Sequence, residues 1–170
     1  MKQKLKLFRI NSESGQSMVE LAVSIVVLLI LLAGMVDFGR IAFYYIAMRD
    51  AAQEGASFGS LFPNNTNEII ERAKAGVVDD NRIEVIMEIT RGPVIIYSCS
   101  SKDTVCSQKL DTKEDVKVLV GDNVVITIID PEFKITMPLI GAFIGQEIKL
   151  ETTIQDVVVR VPQFTPTPDD

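Results

Sequence analysis

The chain reads as an α+β protein: a long N-terminal helix, transmembrane in its first half and amphipathic in its second, packed on a small antiparallel-sheet extracytoplasmic domain. Three patterns predict this. Residues 21–36 carry no charged side chain. Beyond them, apolar side chains recur at three- and four-residue steps through Ile41, Tyr44, Tyr45, Met48, Ala52 and Ala56. Further on, alternate positions share one face in Ile83, Val85, Met87 and Ile89, and again in Ile148, Leu150, Thr152 and Ile154. The first spacing belongs to a helix with one buried stripe and the second to a half-buried strand. A sheet laid against the helix satisfies both faces.

The uncharged run comes first in the chain. Its sixteen residues reach only about 24 Å at 1.5 Å per residue, whereas a hydrocarbon core of about 30 Å calls for nearer 20 residues. Counted from Gln16 the segment reaches about 31 Å, and Glu20 then falls within the cytoplasmic-side layer of the membrane. Either the segment spans with Glu20 partly buried, or it spans short. An ionised side chain in that position costs about 2.5–3.5 kcal/mol on insertion scales, so a carboxylate found there usually has a role. Lys2, Lys4, Lys6 and Arg9 precede the run, against the single acid Glu13. That basic excess sets the N-terminus on the cytoplasmic side and residues 37–170 outside. Secretory cleavage just beyond the run would need a small-x-small site, and no such pair occurs between Ala33 and Ala42.

No proline interrupts the chain before Pro63, so one continuous helix is expected from Ser17 to Phe58, ending at Gly59-Ser60. About 42 residues would make a rod near 63 Å, whose outer half needs the following domain to be stable. A second helix is expected after Asn65 or Thr66, with Glu68 completing a capping box. Ile69, Ile70, Ala73 and Val77, with Val78 continuing it, form its apolar face, and Asp79-Asp80-Asn81 ends it. Those acids lack the spacing of a calcium loop. Extended segments follow at 82–90, 93–97, 118–120 with 124–129, and 146–161. Residues 131–145, with Pro138 and two glycines, are expected to be irregular. The proline-rich tail 162–170 is expected to be disordered.

Composition narrows the function. The chain has 17 basic and 23 acidic residues; without the four basic residues and one acid of positions 1–15, 13 stand against 22. Such a balance opposes nucleic-acid binding, which needs clustered Lys and Arg, and it is unlike a polybasic lipid-binding surface. There is no histidine, which removes the commonest general base and the usual zinc ligand. No spacing of the remaining residues suggests a catalytic constellation, so neither an enzyme, a cofactor, a metal nor a small-molecule substrate is expected. Cys99 and Cys106 are read as lying in a polar loop, Ser98-Cys99-Ser100-Ser101-Lys102-Asp103-Thr104-Val105-Cys106-Ser107. Outside the cytoplasm a disulfide is the expected state; the alternative, a redox pair, has the wrong spacing for C-x-x-C.

Three pieces in order carry a more specific signal: Gly15-Gln16-Ser17-Met18-Val19-Glu20-Leu21-Ala22, Asp37-Phe38-Gly39-Arg40 and Asp50-Ala51-Ala52-Gln53-Glu54-Gly55-Ala56. Over residues 15–59 the chain resembles the N-terminal region of the TadE-like pseudopilins, minor pilin-like proteins of tight-adherence (Flp-type, type IVc) pilus systems. Leu21 stands where the major Flp pilins carry tyrosine, which favours an accessory over a major subunit. Gln53 and Ser57 stand where the family often has basic residues. Beyond residue 60 only Gly121-Asp122-Asn123-Val124 and Thr136-Met137-Pro138-Leu139 look similar.

The resemblance implies a pilin-like fold and a division into a leader (1–15), a long helix (16–60, of which 16–36 spans and 37–60 is amphipathic), an extracytoplasmic domain (61–161) and the tail (162–170). It also implies a membrane-held precursor cut after Gly15 by a prepilin peptidase. The mature subunit would begin at Gln16 and join other pilins or pseudopilins and a membrane assembly platform, in adhesion or secretion. Glycine at 15 leaves a protease unobstructed. The new amine at Gln16 would lie four residues before Glu20, on the same helix face, making Glu20 the assembly and recognition residue. The competing reading is a single-pass anchor with an extracytoplasmic binding domain and no cleavage.

Overall fold

A computed structural model describes residues 13–77, 81–103, 106, 116–136, 141 and 145–161. Asp79 and Asp80, most of the charged stretch 109–117, residues 137–139 and the tail 162–170 lie outside these, as does the basic segment 1–12. The architecture is α+β. A long helix, α1 (Glu13–Leu61), and a short one, α2 (Thr66–Ala75), cover one face of a four-stranded antiparallel sheet. The strands are β1 (Glu84–Arg91), β2 (Val94–Ser100), β3 (Asn123–Lys134) and β4 (Glu147–Val157), in the order β2-β1-β3-β4.

α1 is one unbroken helix of 49 residues, about 73 Å long. It passes Gly59 and closes at Leu61, where the Phe62 amide still donates to the Phe58 carbonyl, 2.9 Å. Pro63 follows, and it cannot continue a helix. Gly59, read from the sequence as a stop, serves packing instead. A Cβ there would stand 2.9 Å from Val124 Cγ1 and 3.3 Å from Ile69 Cδ1, so its absence lets α1 lie against β3. Gly55 does the same for α2, where a Cβ would meet that of Ala73 at 2.9 Å. Met48, Ala52 and Ala56 are buried as their spacing predicts, together with Ala51, which the periodicity had not included. Tyr45, assigned to that face, is exposed.

The Ile69, Ile70, Ala73 and Val77 face of the second helix is buried, but the helix stops at Ala75, ahead of the expected end at 79–81. Glycine, at position 76, is a poor helix continuer, and here it faces Ala51 at a distance that excludes a side chain. The expected capping box is absent: Asn65 makes no side-chain cap hydrogen bond. The Thr66 hydroxyl is turned instead to the Cys106 carbonyl, 2.9 Å.

On β1 the predicted alternation holds, with Val85, Met87 and Ile89 fully buried opposite Ile128, Ile126 and Val124 of β3. Three expectations change. Residues 118–120 are not strand; they enter a turn in which Gly121 takes φ +96°, a conformation natural to glycine. Residues 131–134, expected to be irregular, extend β3. Pro131 is accommodated where the pairing with β4 shifts register between Asp130 and Phe133, the kind of irregularity at which a strand tolerates proline. β2 runs on through Ser98-Cys99-Ser100, because Tyr97 and Cys99 fall on the core side while the serines take the other side.

Candidate functional site

The first half of α1 stands free of the domain. From Met18 to Leu32 every residue is exposed, most of them large and apolar, and this is the one helix among the described residues long and apolar enough to cross a membrane. Gly15 and Gln16 lie in its first turns and Glu20 one turn further along, all exposed. A Cβ built at Gly15 meets nothing within 4 Å, so intramolecular packing gives no reason for a glycine there. Among the described residues Glu20 has no hydrogen bond or ion pair. The structure therefore places the three residues on one free helical end, and brings none of them to the domain.

Where α1 reaches the domain it is fastened by a polar network. The Arg82 guanidinium, just ahead of β1, grips the Asp130 carboxylate of β3 in bidentate fashion at 2.9 and 2.7 Å and reaches the Tyr44 hydroxyl of α1 at 3.5 Å. The Glu132 amide also donates to Asp130, 3.2 Å. Asp130 is fully buried. Burial pushes its carboxyl up, but Arg82, the Tyr44 hydroxyl and the Glu132 N–H together outweigh that and hold it below the usual carboxylate range. Tyr44 is raised to about 12, first by burial and then by the Asp130 carboxylate beside it. Its ring packs on Phe133 with centroids 5.0 Å apart.

One turn closer to the free end, Arg40 pairs with the buried Asp37 at 3.4 Å. It also donates to the Thr136 hydroxyl and lies over the Phe133 ring, 5.8 Å from its centroid. Val36, Gly39, Arg40, Phe43, Tyr44, Arg82 and Phe133 line an open groove of about 560 Å³. The opposite end of the domain has a matching fastening. There Arg91 holds the buried Asp122 at 2.8 Å through both oxygens, and Asp122 also accepts from the Leu119 amide, 2.8 Å. Arg91 first, with the Leu119 N–H adding, keeps this carboxyl below its ordinary value against the opposing effect of burial.

Cys99 and Cys106 form a disulfide, with Cα atoms 5.4 Å apart. The pairing agrees with the sequence; the setting differs. Both residues are buried and belong to the core cluster, because Cys99 sits on the inner face of β2 opposite Met87. The bridge carries the chain back from β2 toward the N-terminus of α2, where Thr66 holds the Cys106 carbonyl. Asp130 is already committed to Arg82, and among the described residues no group of three or more His, Cys, Asp or Glu could hold a metal ion. Spacing could not have found Arg82 and Asp130, which stand 48 positions apart.

Comparison with known proteins picks out most of α1. Residues 15–57 match the family model described as TadE-like protein. The TadE-like segment begins at Gly15 and stops short of the end of α1, leaving α2 and the sheet outside the match. The resemblance read from the three sequence pieces stands on this segment. Its third piece now has a physical reason: Ala51, Ala52, Gly55 and Ala56 are buried, small so that α2 and the sheet can approach. No curated protein and no solved structure matches the chain.

Proposed function

We propose that this chain is a pseudopilin or minor pilin of a tight-adherence (type IVc) pilus. In this reading a prepilin peptidase cuts it between Gly15 and Gln16, and the subunit acts in pilus assembly or initiation beside other pilins and the membrane platform. The observation that carries the reading is a bare apolar helix with one carboxylate, Glu20, a turn after a glycine that packing does not require. The TadE-like match over the same residues supports it. Before the cut the helix includes Gly15, so the peptidase must unwind its first turn. Glycine lowers that cost, being about 0.5–1 kcal/mol less favourable than alanine in a helix. After the cut, the amine of Gln16 and the carboxylate of Glu20 form a charge pair within one chain or between neighbours.

The basic segment before the span supports a cytoplasmic N-terminus and a domain outside. The buried disulfide accords with an oxidising compartment. Mass analysis of the N-terminus of the membrane-extracted protein tests the reading. Chains beginning at Gln16, and their loss in Gly15→Val, are expected. Chains retaining residues 1–15 in cells with an active prepilin peptidase would instead favour an uncleaved anchor for a binding domain.

A further inference from the structure

The apolar surface of α1 does not end where the uncharged run ends. Phe38 is 72%, Phe43 75% and Ile46 56% exposed. The exposed side chains that follow are Arg49, Asp50, Gln53 and Glu54, so the surface turns polar between Ile46 and Arg49. Two charges fall inside the extension, and the fold accommodates both. Asp37 is buried against Arg40. Arg40 is tied to Thr136 and stacked over Phe133, with a stem long enough to carry its head toward water.

Lengths along the unbroken helix agree with this surface. Glu20 and Arg40 are twenty positions apart, about 30 Å, which is the thickness of a hydrocarbon core. From Met18 to Ile46 the helix covers about 42 Å, and a bilayer with its headgroup layers measures about 40–45 Å. We propose that α1 meets lipid as far as Ile46. The hydrocarbon then lies between Glu20 and Arg40, and the end of the domain around Phe43 and Phe133 rests in the outer interfacial layer of the phospholipid bilayer. Tyr45 acts there as an interfacial anchor, as tyrosine does at membrane surfaces, and Phe43 adds apolar contact beside it. The span thus sits about four residues, roughly 6 Å, nearer the domain than a count from Gln16 places it, and Glu20 reaches the inner boundary instead of the interior. A bilayer is the occupant favoured here because this face continues the membrane-crossing surface without a break.

The inference rests on the membrane-spanning reading, and one experiment separates the two. The chain has no tryptophan, so a single introduced tryptophan reports its own surroundings. Full-length Leu28→Trp, Phe43→Trp, Ile46→Trp and Phe62→Trp proteins are reconstituted in phosphatidylcholine–phosphatidylglycerol vesicles. Part of the phosphatidylcholine carries bromine, either near the top or near the end of one acyl chain. Emission from Phe43→Trp and Ile46→Trp should be blue-shifted and quenched by the shallow bromines, that from Leu28→Trp by the deep ones, and that from Phe62→Trp by neither. Quenching of Leu28→Trp with none at positions 43 and 46 would overturn the inference and leave the span standing. So would shielding at 43 and 46 that disappears on dilution of the protein in lipid, since a second copy would then cover the face. No quenching at Leu28→Trp would remove the spanning reading itself.

Discussion

Replacing Arg82 by methionine tests whether the Tyr44–Arg82–Asp130 network holds α1 on the domain. Methionine keeps most of the apolar stem and removes both hydrogen bonds to Asp130, at 2.9 and 2.7 Å. Asp130 stays fully buried, with the Tyr44 hydroxyl and the Glu132 amide as remaining partners. Breaking one side of a buried ion pair costs about 3–5 kcal/mol. The partly exposed Arg82 side chain (26% against 0% for Asp130) puts the expectation at the lower end, about 3 kcal/mol at neutral pH. Urea unfolding in mild detergent, followed by far-ultraviolet circular dichroism, measures it.

The pH dependence sharpens that test. In the parent protein the Asp130 carboxyl lies below its ordinary value. Its stabilisation is therefore complete above the unfolded value of about 3.9 and is lost as pH falls through the lower folded value. In Arg82→Met the unpaired buried carboxyl moves upward and can fold neutral, so the gap between the two proteins should narrow on acidification. Arg82→Met/Asp130→Leu, which removes both charges, should recover most of the loss. A penalty under about 0.5 kcal/mol, unchanged between neutral and mildly acid solution, would refute the reasoning.

Serine at both Cys99 and Cys106 should destabilise the domain by about 2.5 kcal/mol on the loop-entropy relation, plus a packing loss because both sulfurs are buried. Alkylation of the parent protein should give two labels only after reduction under unfolding conditions; labelling without reductant would contradict this. Gly59→Val places a branched side chain against Val124 and should cost about 1–3 kcal/mol by overpacking. Gly39→Ala, where a Cβ meets nothing within 4 Å, should cost nothing and gain up to about 0.5–1 kcal/mol of helix propensity, and equal losses in the two variants would show that the glycines do not differ as described. Glu20→Gln and Glu20→Leu should retain membrane insertion while lowering incorporation into pili, the leucine variant more severely. Normal piliation and co-purification with pilus components in both would count against an assembly role for that carboxylate.

The long helix, the buried face of α2 and the inner faces of β1 and β4 could be read from the chain because each is a local periodicity. A side chain's direction on a helix or strand follows from its distance to neighbours a few positions away. The cysteine pairing was legible for a related reason, being close in sequence and set in a segment assigned outside the cytoplasm. Local pattern misjudged Cys99, because its serine neighbours resemble a loop and are in fact the outward positions of β2. It misjudged Gly59 and residues 131–134 as well, where a glycine and a proline suggest interruption but only the facing strand shows whether the chain stops. The partnership of Arg82 with Asp130 and Tyr44, and the bare surface that continues to Ile46, belong to tertiary structure alone. The first depends on β1 pairing with β3 across 48 positions of chain. The second depends on where along α1 the sheet begins to cover it, and between Phe38 and Ile46 the helix is apolar nearly all round, so its periodicity there does not single out the covered side.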